Sequence, residues 1–204
     1  VDTTLTDQAP AARIWSEIIS IQEGTTDPSW AGSSALSGLA TSYLLLDRIP
    51  QALEAANRYL SASPPHGDRL VWWRHTATLE LVPIFAAANL PDVATELLHE
   101  GARKMRGIAM QNIESHLVCI AGGIAFWTEK PHAAVRLLSA SIAIANDPTV
   151  SPFLTPAHGR IFAQTVARVR ARLSEQETRS LREQGRRMSV EEALRYALSD
   201  SDWS

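Results

Sequence analysis

Cysteine is nearly missing from this sequence. Cys119 is the single one in 204 residues, so no disulfide can form within the chain. Lysine is almost as scarce, with Lys104 and Lys130 beside 17 arginines. No apolar run approaches the ~20 residues of a membrane-spanning helix. Residues 1–7 are polar and acidic, without the basic start of a secretory signal, so a cytoplasmic protein is expected. The glycines never group as GxGxxG or as a GxxxxGKS/T phosphate loop. The histidines are His66, His75, His99, His116, His132 and His158, and no two stand one helical turn apart as paired metal ligands do. No nucleophile has a visible base and no acid has a visible partner. The expectation is therefore a chain with no catalytic residues, no metal and no cofactor of its own. Net charge is −3 and the pI about 6.1, which removes any global attraction to nucleic acid or anionic membrane.

What the sequence does have is proline at a fixed interval. Pro50, Pro91 and Pro131 stand 41 and 40 residues apart, each heading an apolar stretch: DRIPQALEAANRYL, ANLPDVATELLHEG and EKPHAAVRLLSASI. Proline suits the first position of a helix, where its missing N–H has no partner to lose and its φ is already helical. A fixed period between 20 and 50 residues marks stacked helical repeats. The expected fold is all-α: one domain over residues 1–204 with antiparallel pairs 29–62, 69–105 and 108–146, then a helical cap over 156–198.

In order, the spacing of Ala12, Ile14, Trp15, Ile18, Ile19 and Ile21 predicts a first helix over 8–23. Asp27 and Pro28 read as the start of the next. Helices are expected at 29–47 and 50–62, then 69–88 and 91–105, then 108–128 and 131–146. Pro83 should kink the fourth helix or end it early, and Asn89 should cap the fifth. Gly122 and Gly123 cost roughly 1 kcal/mol each against alanine, which points to close helix contact. Thr155 and Pro156 should start a helix to 172 carrying the stripe Phe162, Val166, Val169, Leu173. Ser174 with Glu177, and Ser189 with Glu192, read as capping boxes that open helices 175–185 and 190–198.

Three features bear on function. Trp72, Trp73, Arg74 and His75 form a cluster in which adjacent residues point about 100° apart, so one tryptophan can lie at an edge as a partner-binding residue. Packing of both between repeats is the plainer alternative. Cys119 lies in an apolar run, where a thiol packs rather than reacts. Residues 156–188 carry eight arginines and three glutamates, a surplus of +5 against −8 for the rest. Such a face can meet phosphates, dock on an acidic neighbour, or simply be solvated.

Leu39, Ala40 and Tyr43, the acidic turn at Asp47, then Ala52 and Ala55 resemble a tetratricopeptide (TPR) unit, although the period exceeds that family's 34. A broader resemblance covers about 70 residues. The strings AAVRLLSA (133–140), RARLSEQE (170–177) and GRRMSVEEALRYAL (185–198) are similar to the C-terminal TPR-like region of large LuxR/MalT-type bacterial transcriptional regulators, common in actinobacteria. Arg136, Leu137, Leu138 and Ala140 match a first motif, with Ser139 where the family has glycine. Arg170, Leu173 and Glu175 match a second, with Ser174 for glycine. Gly185, Arg186, Met188, Ser189, Glu191, Glu192 and Ala193 match a third. All read as turns and caps. Neither the family's NTPase module nor its helix-turn-helix is in this sequence, so ATP belongs elsewhere in such a regulator. The resemblance implies a non-enzymatic sensor or relay domain, binding a protein partner or small effector on a concave face lined by the first arms, beside an NTPase domain, with no specific DNA binding and no membrane. A free-standing scaffold unrelated to transcription is the alternative.

Overall fold

The computed structural model describes residues 8–23, 30–62, 71–105, 113–146, 167–169 and 171–199; within it, the side chains of 30–34 and 71–76 among others lie outside the description. Among the described residues there are nine helices with stated bounds, a further helical stretch at 167–169, and no strand. The nine are α1 (Gln8–Glu23), α2 (Trp30–Leu45), α3 (Ile49–Ser61), α4 (Val71–Ala87), α5 (Pro91–Met105), α6 (Ile113–Trp127), α7 (Pro131–Ala145), α8 (Glu175–Arg187) and α9 (Val190–Ala197). The expected starts at Asp27–Pro28 and at Thr155–Pro156, and most of the helix expected over 156–172, lie outside the described residues.

The three helix pairs are joined by one and the same turn. Asp47, Asn89 and Glu129 each take a left-handed conformation, with φ of 60°, 61° and 62°. The residue after each donates its N–H back to a carbonyl five residues earlier: Arg48 to Tyr43 at 2.9 Å, Leu90 to Phe85 at 2.9 Å, Lys130 to Ala125 at 2.8 Å. The left-handed residue itself donates three residues back, to Leu44, Ala86 and Phe126 at 3.0 to 3.1 Å. This is a Schellman ending, which satisfies carbonyls a helix end would otherwise orphan. Aspartate and asparagine tolerate this backbone well, whereas glutamate at 129 holds it without that local advantage.

Two expectations are corrected here. Asn89 does not cap α5; it terminates α4. Pro50 is not the first residue of α3, which begins at Ile49, so the equivalent turn residues are spaced 42 and 40 apart. Pro91 and Pro131 do open α5 and α7.

The first arms form an inner row. α2 contacts α4 and α4 contacts α6, while each second arm packs on its own first arm; α3 and α5 also touch the next first arm. This order explains the sequence character of each helix. The first arms are apolar nearly all round because neighbours cover them on several sides. In α6 every residue from Ser115 to Phe126 is buried. The outer α3 is amphipathic, burying Ala52, Ala55, Ala56 and Tyr59 while Glu54, Asn57 and Arg58 stay exposed. Ala52, Ala94 and Ala134 occupy equivalent positions one turn into each second arm, and all three have no exposed surface.

α4 runs unbroken through Pro83 to Ala87, so of the two expected outcomes, a kink or an early end, the early end does not occur. A proline inside a helix costs about 3 kcal/mol. Burial of Leu79, Leu81, Val82 and Ile84, none of which is exposed at all, outweighs it. At Gly122 an added Cβ would lie 2.8 Å from the Leu138 side chain, so α6 and α7 meet closely there; at Gly123 it would lie 3.7 Å from Pro83 of α4, an ordinary contact, so the expectation of close approach holds for Gly122 alone. A buried bond from Ser141 Oγ to the Ser115 carbonyl, 2.9 Å, joins the same two helices.

Candidate functional site

Residues far apart in sequence converge where α7 meets the C-terminal helices. Arg136, half-buried on α7, donates from Nε to Gln184 Oε1 of α8 at 2.8 Å and from Nη1 to Tyr196 Oη of α9 at 3.3 Å. Its planar guanidinium serves two directions at once, which a lysine could not reproduce. Gly185 faces the same point. A Cβ there would run into the Arg136 carbonyl oxygen and come within 2.9 Å of the Ser139 Cβ. Only glycine lets α8 cross α7 at backbone contact. Leu137, fully buried, and Leu138, 3% exposed, fill the core behind the crossing.

The chain enters α8 and α9 through two capping boxes. Ser174 Oγ accepts from the Glu177 N–H at 3.2 Å, and the Ser174 N–H donates to Glu177 Oε2 at 3.0 Å. Ser189 and Glu192 repeat the arrangement at 3.2 and 2.8 Å. Hydrogen bonds to these serines hold the Glu177 and Glu192 carboxyls below the usual carboxylate range. Both boxes were legible in the sequence. Arg136 and Gly185 thus meet at one crossing, while Ser189 and Glu192 bond to each other at the start of α9.

The basic C-terminal stretch is held to the repeat turns. Arg168 reaches Asp47 at 3.7 Å and stacks 5.1 Å over the Trp127 ring, and Arg172 reaches Glu129 at 3.6 Å. Asp47 and Glu129 are the left-handed residues of the first and third turns. Docking on the chain's own acidic turns therefore accounts for two of the eight arginines.

Cys119 is buried, and burial pushes its thiol up to about 11, so it packs, as expected. Glu80 carried no expectation. It lies on the apolar α4, and burial raises its carboxyl to about 7. The signal was available: a single acid within TLELVPIF. His116 is fully buried on α6. Among the described residues no group of three or more His, Cys, Asp or Glu could hold a metal ion. No helix there is long and apolar enough to cross a membrane.

Trp72, Trp73, Arg74 and His75 fall on the first turns of α4, but their side chains lie outside the described residues. The surface expected from them is therefore not placed. Two clefts are open elsewhere. One, about 260 Å³, lies among α1, α2 and α3, lined by Ile19, Leu39 and Ala55 below and by Tyr43, Gln51 and Glu54 at its rim. The other, about 620 Å³, runs along α8. Comparison of the chain with family models, with curated proteins and with solved structures finds no match.

Proposed function

We propose that this chain is a TPR-like helical-repeat array serving as a non-enzymatic interaction domain, the sensor or relay portion of a LuxR/MalT-type transcriptional regulator. The observation that carries the reading is the junction at Arg136. Residues of separate motifs that resemble the end of that family's array meet there and close the stack. The three identical turns support the repeat part of the reading, because equal joints stack equal units. The binding surface is the inner face of α2 and α4. The third first arm, α6, is covered by α9 and has no free face. The occupant is a protein segment or a small effector. The chain itself has no catalytic role and needs no cofactor; ATP would act only on an NTPase module elsewhere in the polypeptide.

The decisive test is the genomic reading frame upstream of the Val1 codon. An in-frame P-loop NTPase is the expected result; its absence would turn the reading to a free-standing scaffold. A second test is fluorescence anisotropy on unrelated DNA duplexes at about 50 and 200 mM salt. Phosphate contact alone fades steeply over that range. Tight, selective binding of one duplex at the higher salt would overturn the interaction-domain reading in favour of a DNA-binding one.

A further inference from the structure

A helix that serves only as a cap has no use for a cleft lined with arginine, yet α8 has one. Its lining is Leu173, Glu175, Thr178, Arg179, Arg182, Glu183 and Arg186, which recur at three- and four-residue spacing along one face of the helix. That face is separate from the one carrying Leu181 and Gly185, which are buried.

The charges on this face are not all matched. Glu175 pairs with Arg179 at 3.2 Å, and Glu183 pairs with Arg187 at 3.7 Å, both one turn apart. Arg182 and Arg186 have no carboxylate within ion-pair distance among the described residues. They stand one turn apart as like charges, an arrangement that disfavours the helix by about 0.2–0.5 kcal/mol. Every other i, i+4 charge pair on α8 is favourable. Arg182 is also half-buried, so part of its hydration has been lost with no counter-ion gained.

The geometry points to an acidic segment of a partner protein as the occupant of this cleft, with carboxylates about one helical turn apart set on Arg182 and Arg186. Charge complementarity selects the class. Two guanidinia about 5–6 Å apart at their Cβ atoms match two carboxylates spaced i, i+4 on a helix, or alternate side chains of a strand. Bidentate geometry makes guanidinium–carboxylate contact specific as well as strong. A nucleic acid strand fits less well. Glu175 and Glu183 lie on the same face, and side-chain exposures of 90% and 66% leave both open to a long polyanion, which they repel. A segment with only two carboxylates can set both on Arg182 and Arg186 and leave neutral residues beside Glu175 and Glu183. Leu173 offers an apolar contact at one end. This surface is distinct from the inner face of α2 and α4, so either can fail without the other.

The test uses the whole chain and a fluorescent peptide of about ten residues that carries two glutamates at i, i+4 among neutral residues, with an oligothymidine of similar length as the rival probe. Saturable anisotropy with the peptide is expected at about 50 mM salt, weaker near 200 mM as screening grows. Arg182→Glu with Arg186→Glu should weaken it by about tenfold or more. Arg103→Glu, exposed on α5, should leave it unchanged. Should circular dichroism show the double variant unfolded, the single changes Arg182→Gln and Arg186→Gln serve, each expected to lose roughly threefold. Equal binding by the arginine variants, no saturable binding by the native chain, or oligothymidine bound as tightly as the peptide would each overturn the proposal.

Discussion

At the C-terminal end of the stack α8 covers α7 and shows solvent a face of arginines and glutamates, whereas at the N-terminal end α1 covers α2 yet leaves Ile14 53% and Ile21 68% exposed. Both helices are single layers laid over a repeat. α8 buries little more than Leu181 and Gly185 and relies on backbone contact, a capping box and the bonds of Arg136. α1 buries Ala12 and Ile19 and packs Trp15 against Gly38, where an added Cβ would be 2.6 Å from the indole ring. A stack of repeats needs a polar outer face at its ends to stay dispersed. One end meets that need and the other does not. The difference shows that apolar periodicity predicts a helix better than it predicts burial. Ile14 and Ile21 belong to the same apolar set as Ile19, and their exposure was not legible from the spacing.

The largest expected effect removes the core behind the capped end. Leu137→Ala should cost about 2–5 kcal/mol, because a fully buried leucine leaves a cavity. Denaturant unfolding would measure it. A neutral change would mean that α7 does not lie between α6 and α8.

Glu80 belongs to neither end and reports on the inner row through pH. Its folded pKa is raised from 4.5 to about 7 by burial, so the folded state holds the proton more tightly than the unfolded one. That stability is present below about pH 4.5 and is lost as pH climbs through 7. Glu80→Gln stays neutral throughout. It should match the native chain near pH 4 and exceed it near pH 8 by up to about 3 kcal/mol. Melting curves at the two pH values decide it; an equal offset at both would falsify the buried-acid account.

Gly185→Val should cost about 1–3 kcal/mol by overpacking the α7–α8 crossing. It also makes the two ends alike, because a displaced α8 uncovers α7. Light scattering should then show more self-association than the native chain at the same concentration. Ser189→Ala removes one capping box and should cost about 1 kcal/mol. The smallest effect is expected at the other end: Ile21→Ser should change stability by less than about 0.5 kcal/mol, since the side chain is already in water. A cost near that of Leu137→Ala would show that α1 is covered in solution and that the two ends are alike after all.

Much of the fold was legible because it is local. Proline at helix starts, serine–glutamate pairs at caps and three-to-four spacing act within one turn, and each leaves a mark at a fixed offset. The pairs 30–61 and 71–105 follow from them to within two residues, and the third runs 113–145 against an expected 108–146, with 106–112 outside the described residues. What was misplaced was misplaced for a local reason too. Asn89 carries the side chain of an N-cap, and only the backbone bonds of the Schellman turn assign it to the end of α4. The candidate surface fared differently. The arginines of residues 156–188 were counted from the sequence, but the count did not distinguish Arg168 and Arg172, engaged on the repeat turns, from Arg182 and Arg186, left facing a cleft.

The sequence by itself determined the helix pairs, their order and the two capping boxes, since each depends on side chains within a few residues of the backbone group they serve. Only the tertiary structure decided which apolar faces are covered, why position 185 must be glycine, and which charges remain without a partner among the described residues. Those depend on groups separated by tens of residues, such as Arg136 with Gln184 and Tyr196, or Asp47 with Arg168. Distance in sequence carries no mark of such meetings until packing brings the chain back on itself.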